Sequence, residues 1–142
     1  MSPLVLTIDD DEAITDLLSV LLKANGFDVL VANSGREGLR LIREQAPRLV
    51  ILDLMMPDTD GWQVCKAIRD ISSVPILILS ALDEPSLVAG VLDLGADDFL
   101  VKPVPSAVLV AHLNKLARRT GSLHRLSPER SPWRPSTQPL YP

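Results

Sequence analysis

Two kinds of hydrophobic pattern alternate along the chain. Short runs rich in Val, Ile and Leu recur five times, and near-continuous apolar runs are typical of parallel strands buried on both faces. Between these runs, apolar residues return every three or four positions, which is the spacing of an amphipathic helix. The predicted strands are residues 4–8, 28–32, 49–53, 75–80 and 98–102.

The helical segments also carry start and stop signals. Ser34 is a candidate N-cap with Glu37 three residues later, as in a capping box, and this second helix is expected to stop before Pro47. In the first helix the apolar stripe consists of Ile14, Leu17, Leu18, Leu21 and Leu22. The other three helices are predicted over residues 61–70, over residues 85–94 and from about residue 105 onward.

Five strands that alternate with five helices predict an α/β fold built from right-handed βαβ units. We expect a flavodoxin-like, doubly wound sheet of five parallel strands in the order 2-1-3-4-5, with helices on both faces. In such folds, ligands bind at the carboxyl ends of the strands where the strand order reverses. Here that point lies between the first and third strands.

Composition places the chain among ordinary globular proteins. Its 142 residues suffice for one domain, and 46% of them are hydrophobic, yet no apolar run reaches the ~18 residues of a membrane span. No basic segment precedes an apolar one at the start, so we expect no secretory signal. The single cysteine, Cys65, excludes an internal disulfide framework. These features favour a cytoplasmic protein without membrane attachment.

Charge is distributed unevenly along the chain. Residues 118–142 carry five basic side chains and one acidic one, whereas the whole chain has a net charge of −4. An acidic body lacks the Lys and Arg that phosphate contacts need, so we expect no direct nucleic-acid binding by residues 1–119. Residues 120–142 are rich in Pro, Ser and Arg, which is typical of a linker or a disordered tail. The domain is therefore predicted over residues 1–119.

Acidic residues follow two of the predicted strands. Asp9 and Asp10 come directly after the first strand, and Asp53 ends the third, so the three carboxylates are expected to converge at the switch point. Such a cluster needs a cation, and hard oxygen ligands select Mg²⁺ or a similar ion. Asp11 and Glu12 are interpreted as first-turn residues of the following helix, where acids favour the helix dipole.

Two donors belong to the same edge of the sheet. Ser80 ends the fourth strand, and Lys102 ends the fifth and precedes Pro103. A hydroxyl and an ammonium beside an acid cluster indicate an anionic guest, and a phosphoryl group is the natural candidate. Neither His112 nor His124 has the spacing of a metal ligand, and no site is assigned to them.

Four segments together resemble the receiver domain of two-component response regulators. They are "LTIDDDEAI", "LVILDLMMPDTDGW", "PILILSA" and "GADDFLVKP", in the right order and with spacing that covers residues 1–119. The resemblance implies that Asp53 is the phosphoryl acceptor. It also implies a Mg²⁺ (or Mn²⁺) ion bound by Asp53, by Asp10 directly, by Asp9 through water and by the backbone carbonyl of Met55. Ser80 and Lys102 would bind the phosphoryl group, and a cis peptide would precede Pro103.

The same resemblance implies a switch rather than an enzyme. The donor would be a sensor histidine kinase, a histidine phosphotransfer protein or a small phosphodonor. Ser80 would move toward the phosphoryl group and Phe99 would rotate inward, changing the face formed by helix 4, strand 5 and helix 5. Met55 and Leu82 flank the path of the hydrolytic water in receivers, and two apolar side chains there predict slow self-dephosphorylation.

The segment "LDEPSLVAGVLDLGADDFLVKP" further resembles receivers of OmpR-type winged-helix regulators. Those receivers dimerise through helix 4, strand 5 and helix 5. The resemblance therefore implies a homodimer in which Asp97 and Asp98 face Arg118 or Arg119 of the second subunit. Val104 and the stretch "PSAVLVAHL" depart from the typical pattern.

Two other functions use similar residues. A haloacid-dehalogenase-like phosphatase also has an Asp nucleophile at a strand end, but it needs a second Asp two residues later, where this chain has Met55. A phosphorylation-independent interaction module with a receiver fold is expected to have lost an acid or the lysine. All of Asp9, Asp10, Asp53, Ser80 and Lys102 are present, which disfavours that alternative.

Overall fold

The computed structural model describes residues 2–57, 59–82 and 84–130, with side chains as far as residue 119. Five parallel strands, numbered along the chain, form one sheet in the order 2-1-3-4-5, which confirms the predicted flavodoxin-like topology. The strands are β1 (Leu4–Ile8), β2 (Asp28–Ala32), β3 (Leu49–Leu52), β4 (Ile76–Ser80) and β5 (Asp98–Val101). The helices are α1 (Glu12–Ala24), α2 (Gly35–Gln45), α3 (Gly61–Ile71), α4 (Pro85–Asp93) and α5 (Ser106–Arg130).

The sheet separates two apolar clusters. One face packs against α2, α3 and α4 through Ile42, Val64, Ile68 and Val91, and the other packs against α1 and α5. All four residues of β3 are buried, because the central strand is covered on both sides. Complete burial of one such aliphatic side chain contributes about 1.5–3 kcal/mol, so the sheet forms a rigid platform for the polar residues at its edge.

Side-chain caps fix where the first two helices begin. Asp11 is the N-cap of α1, since its carboxylate accepts hydrogen bonds from the N–H groups of Ala13 and Ile14. This corrects its assignment to the first turn, which applies only to Glu12. Ser34 caps α2 as predicted, by accepting from the N–H of Glu37. The Glu37 carboxylate, however, accepts from the N–H of Asn33, one residue before the position that a capping box uses.

A two-stranded antiparallel ribbon, absent from the predicted elements, follows β3. Its strands are Met55–Met56 and Thr59–Asp60, and they lead directly into α3. Gly61 makes this turn possible, because a Cβ there would lie 2.4 Å from the Cα of Leu54. Backbone atoms cannot yield to such a contact, so a residue without a side chain holds the ribbon against the end of β3.

Helix α5 extends through Arg130, eleven residues beyond the predicted domain boundary at residue 119. Residues 131–142, which belong to the predicted linker or tail, lie outside the described part of the chain. Among the helices in the described ranges, none combines the length and apolar character that crossing a bilayer requires.

Candidate functional site at the carboxyl edge of the sheet

Parallel pairing of β1 with β3 brings the acids together. Ile8 pairs with Leu52, and the next residue of each strand is an aspartate, so Asp9 and Asp53 leave the sheet side by side. The N–H of Asp53 donates to the carbonyl of Ile8 at 3.1 Å, which extends the ladder by one residue. Carboxylate oxygens of Asp9, Asp10 and Asp53 all lie within 4.8 Å of one another.

The two buried acids are held in the same way. In each, Oδ1 accepts a hydrogen bond from the backbone N–H two residues later: Asp11 for Asp9 and Met55 for Asp53, both at 3.0 Å. In each, Oδ2 faces the ammonium of Lys102, at 3.3 Å from Asp9 and 3.5 Å from Asp53. One oxygen of each carboxylate is therefore anchored, and the other points to a shared position.

Burial makes this position electrostatically demanding. Burial raises the pKa of the Asp9 carboxyl. The hydrogen bond from the Asp11 N–H and the nearby Lys102 ammonium lower it, but they offset only part of the increase. The Asp53 carboxylate adds to the increase. Three oxygen donors of this kind, two of them buried, fit a hard divalent cation such as Mg²⁺, since one lysine compensates only one of three charges.

The remaining predicted residues surround this centre. Ser80 is completely buried at the end of β4, and its Oγ accepts from the N–H of Leu82 at 3.4 Å. The Ser80 carbonyl accepts from the N–H of Lys102, which ties the ends of β4 and β5 together. The Lys102–Pro103 peptide bond, for which the resemblance implies the cis form, is cis.

The side chains assigned to switching and to hydrolysis have different exposures. Phe99 is half-buried and packs, together with Leu82, on the cluster beneath α2, α3 and α4. Met55 is 55% exposed at the start of the ribbon, beside the anchored oxygen of Asp53. An apolar side chain therefore stands at the rim of the acid pocket.

The acids assigned to a dimer face are paired within the chain. Asp97 bonds with Arg69 of α3 and with Arg119 of α5, and Asp98 bonds with the ring of His112. Arg118 is exposed. The sequence interpretation missed Arg69 and the role of His112, because neither pairing follows from spacing along one element.

The sequence interpretation also missed Asn33, which follows β2 at this same edge. Its side-chain amide donates to the backbone carbonyl of Asp9 at 2.8 Å. Because β2 lies next to β1, the argument that brought Asp9 and Asp53 together could have identified Asn33 as well.

Comparison with known proteins gives consistent matches. Residues 5–114 match the family model described as "Response regulator receiver domain". The chain is 44% identical to "Transcriptional regulatory protein AfsQ1" of Streptomyces coelicolor over 117 residues, which are 82% of this chain and 52% of that protein. It is 40% identical to "DNA-binding response regulator MtrA" of Mycolicibacterium paratuberculosis over 116 residues, 81% of this chain and 51% of that protein.

Solved structures agree with these sequence matches. The receiver domain of the Francisella response regulator 1452 has a TM-score of 0.79 and 37% identity, covering 84% of this chain and 99% of that one. The BeF3-activated N-terminal receiver domain of Klebsiella pneumoniae RstA has a TM-score of 0.77 and 32% identity, covering 81% and 98%.

The chain spans about half the length of the curated relatives it matches. Some of those relatives are named as DNA-binding regulators. The expectation that residues 1–119 do not bind nucleic acid therefore finds no support in these comparisons.

Proposed function

This chain belongs to the response regulator receiver family, and from that premise we propose that Asp53 accepts a phosphoryl group from a phosphohistidine of a partner protein. The single observation that carries the proposal is the common arrangement of Asp9 and Asp53. Each has one anchored oxygen, and each directs the other oxygen toward Lys102. An acceptor needs an oxygen of fixed orientation, and the Met55 N–H on Oδ1 together with Lys102 at 3.5 Å sets the orientation of Asp53 Oδ2.

The transfer forms a bond between Asp53 Oδ2 and phosphorus while the phosphorus–nitrogen bond of the donor breaks. The electron pair of the broken bond stays on the donor imidazole, which leaves as a neutral ring once it is protonated. Bound Mg²⁺ would neutralise the charge of the acids and of the phosphoryl oxygens. Asp9 and Asp10 would hold that ion together with Asp53 and the Met55 carbonyl, and Lys102 would pair with the phosphoryl group.

The test is phosphorylation of the full chain by acetyl phosphate with and without Mg²⁺, followed by intact mass. We expect one phosphoryl group per chain with Mg²⁺ and none after Asp53→Asn. The matched control is Asp28→Asn, because Asp28 is an exposed acid at the start of β2, on the opposite edge of the sheet. Phosphorylation of Asp53→Asn to the wild-type level would refute the proposal, and steady turnover of para-nitrophenyl phosphate would favour the phosphatase alternative.

The phosphorylated state is proposed to be long-lived. Hydrolysis requires a water molecule oriented toward phosphorus, and the side chains of exposed Met55 and half-buried Leu82 have no strong hydrogen-bonding group with which to orient it. The chain would therefore act as a switch with self-phosphorylation from small phosphodonors and slow self-dephosphorylation. A half-life of only seconds after the phosphodonor is removed would contradict this part.

The output is proposed to pass through the face of α4, β5 and α5. Ser80 is buried at the site, and Phe99 packs on the cluster that includes Val91 of α4. Movement of Ser80 toward a phosphoryl group would therefore change the packing of Phe99 against that cluster. Given the relatives named as transcriptional regulators, we propose that residues 1–119 control transcription through this face.

A phosphorylation-dependent homodimer is the proposed form of that output. Leu92 of α4, Val101 of β5 and Val108 of α5 are exposed aliphatic side chains on this face. Light scattering after size exclusion, with and without beryllofluoride and Mg²⁺, tests the dimer directly. An unchanged monomer at all protein concentrations would refute it.

The partner that supplies the phosphoryl group is proposed to dock on α1. Leu17 and Val20 are 65% and 70% exposed there. A groove of about 630 Å³ extends from α1 to Pro103 and Val104 and has Lys102 on its wall, so it adjoins the acid pocket. A protein donor must cover this surface to reach Asp53, whereas acetyl phosphate need not.

A substitution on α1 should affect transfer from a protein donor but not transfer from acetyl phosphate. Leu17→Asp should slow transfer from a phosphorylated histidine phosphotransfer protein about tenfold or more, because a charge then faces an apolar contact. The rate with acetyl phosphate should be unchanged. Ile71→Asp is the matched control, since Ile71 is an exposed aliphatic residue at the end of α3. Equal rates for Leu17→Asp and Ile71→Asp with the protein donor would contradict docking on α1.

The cellular setting is proposed to be the cytoplasm. The chain has one cysteine, Cys65, and it is completely buried and unpaired, as suits a reducing compartment. Fractionation of cells that express the protein, followed by immunodetection, would test this location.

A further inference from the structure

Asn33 connects the loop after β2 to the acid pocket. Its side-chain nitrogen donates to the carbonyl of Asp9 at 2.8 Å and to Oγ1 of Thr15 at 3.2 Å. Thr15 is buried in the first turns of α1, and its hydroxyl donates to the carbonyl of Glu12 at 3.1 Å. One amide thus contacts the segment on both sides of Asp10 and Asp11.

The contact with Asp9 acts on the peptide unit between two acids. The carbonyl of Asp9 and the N–H of Asp10 belong to one planar group, so fixing the carbonyl fixes the plane from which Asp10 continues. The N–H of Asp9 is fixed as well, because it donates to the carbonyl of Ala32 at 3.1 Å. Two consecutive residues, Ala32 at the end of β2 and Asn33 directly after it, therefore hold the backbone of Asp9 at both of its polar groups.

Asn33 is itself fixed before any ligand arrives. Its backbone N–H donates to the Glu37 carboxylate at 3.1 Å, and the next residue, Ser34, caps α2. The donor amide is thereby attached to the rigid start of a helix, not to a free loop. Support of this kind is what a site needs if its ligands are to keep a productive geometry.

We propose that Asn33 is a positioning residue that holds Asp9 and Asp10 in the arrangement that binds a divalent cation. This inference rests on the proposed function, because it assumes that the acid cluster binds Mg²⁺. Asn33 does not touch the cation. It acts through the Asp9–Asp10 peptide, and its loss lowers cation affinity without removing any of the three carboxylates.

The experiment compares Asn33→Ala with Asn25→Ala in the full chain. Asn25 is a matched control because its side-chain amide also donates to a backbone carbonyl, that of Leu21, at 2.9 Å, but at the other end of α1. Mg²⁺ is titrated while the amide resonances of Asp10 and Asp11 are followed by NMR. A neutral hydrogen bond corresponds to about two- to twelvefold in an equilibrium constant, so Asn33→Ala should raise the dissociation constant by that factor.

A second measurement distinguishes positioning from general damage. The rate of phosphorylation by acetyl phosphate is recorded against Mg²⁺ concentration. For Asn33→Ala, the half-saturating concentration should rise by the same factor as the dissociation constant, and the rate at saturating Mg²⁺ should return to that of the wild type. Asn25→Ala should match the wild type in both. Asn33→Leu keeps the branched shape of the side chain without its hydrogen-bonding groups and serves in the same assays if the alanine variant does not fold.

The outcomes separate the inference from the proposed function. If the wild type binds Mg²⁺ and is phosphorylated but Asn33→Ala and Asn33→Leu have unchanged dissociation constants, the positioning role is wrong and the phosphoacceptor proposal stands. If Asn25→Ala weakens binding as much as Asn33→Ala does, the effect is structural and the inference also fails. If the wild type neither binds Mg²⁺ nor is phosphorylated, the proposed function itself fails.

Discussion

Arg69 should be among the most important polar residues for the stability of this fold. Its guanidinium donates to the carbonyl of Gly95 through two nitrogens, to the carbonyls of Ser72 and Val74, and to the Asp97 carboxylate. Arg69 and Asp97 each have only 22% of the side chain exposed. One side chain thereby joins the end of α3, the end of α4 and the start of β5.

We expect Arg69→Met to lower the free energy of unfolding by about 3 kcal/mol. A hydrogen bond to a charged group contributes about 1.5–3 kcal/mol, but bonds that share one side chain are not additive. Removing Arg69 also takes from Asp97 the more buried of its two cationic partners, and loss of one partner of a buried pair costs about 3–5 kcal/mol when burial is complete. Arg119 still pairs with Asp97 from the exposed side, which keeps the expected loss at the lower end.

Urea unfolding followed by far-UV circular dichroism measures this loss. For a domain of this size, about 3 kcal/mol corresponds to a fall of roughly 10 °C in Tm. Arg69→Lys should not restore stability, because one ammonium cannot reach three carbonyls and a carboxylate together. Arg40→Met is the control: its ion pair with Glu44 is exposed and contributes about 0.3–0.5 kcal/mol. A loss below about 1 kcal/mol for Arg69→Met, or full rescue by Lys, would refute the reasoning.

Three further changes test other parts of the structure. Gly61→Ala should destabilise the fold by about 1–3 kcal/mol, because its Cβ would collide with the backbone of Leu54. The control is Gly90→Ala in α4, whose Cβ would meet no atom closer than 3.9 Å and which should stabilise slightly. Thermal melts of the two variants measure the difference. Asp10→Asn should sharply weaken Mg²⁺ binding, as measured by calorimetry. Asp11→Asn should have little effect on it, since Asp11 is the N-cap of α1 and Asn is an equally good N-cap. Equal effects of the two changes would contradict the assignment of Asp10 to the metal site and Asp11 to the helix cap. Burial raises the pKa of the Cys65 thiol, so a disulfide reagent should react far faster in urea than with the native chain. The unfolded thiol ionises above about pH 8.5 while the native one keeps its proton, so stability should fall as pH rises beyond that value, and a Cys65→Ser variant with the same decline would contradict this cause.

The sequence predicted the sheet well because burial on both faces leaves a strong pattern. β1 and β2 begin and end where predicted, and β3 and β4 each differ from their predicted bounds by one residue. The ribbon of Met55–Met56 and Thr59–Asp60 was missed because two-residue strands have no periodicity to detect. Its cause is the contact between Gly61 and Leu54, which is a property of packing and not of local propensity.

Some residues of the site could likewise be predicted from the sequence, and others could not. Asp9, Asp53 and Lys102 were predictable, since each directly follows a strand and strand ends meet at one edge. Asn33 was not singled out, although it also follows a strand, because an amide has no charge that requires a partner. Arg69 could not be found from the chain alone, since its partners Gly95 and Asp97 lie more than twenty-five positions away and meet it only through the packing of α3 against the end of α4.

The internal ion pairs also bear on what would hold the proposed dimer together. A pair between Asp97 of one subunit and Arg119 of the other would replace the pair that already exists within each chain, so the net electrostatic gain is close to zero. The driving force must then come from the exposed aliphatic side chains of this face, Leu92, Val101 and Val108, whose burial does not depend on ionic screening. We therefore expect the beryllofluoride-induced dimer to persist between 50 mM and 500 mM NaCl in sedimentation experiments. Val108→Asp should abolish it, and Arg119→Ala should weaken it only slightly. A dimer that dissociates as salt increases would show instead that new ion pairs between subunits carry the association.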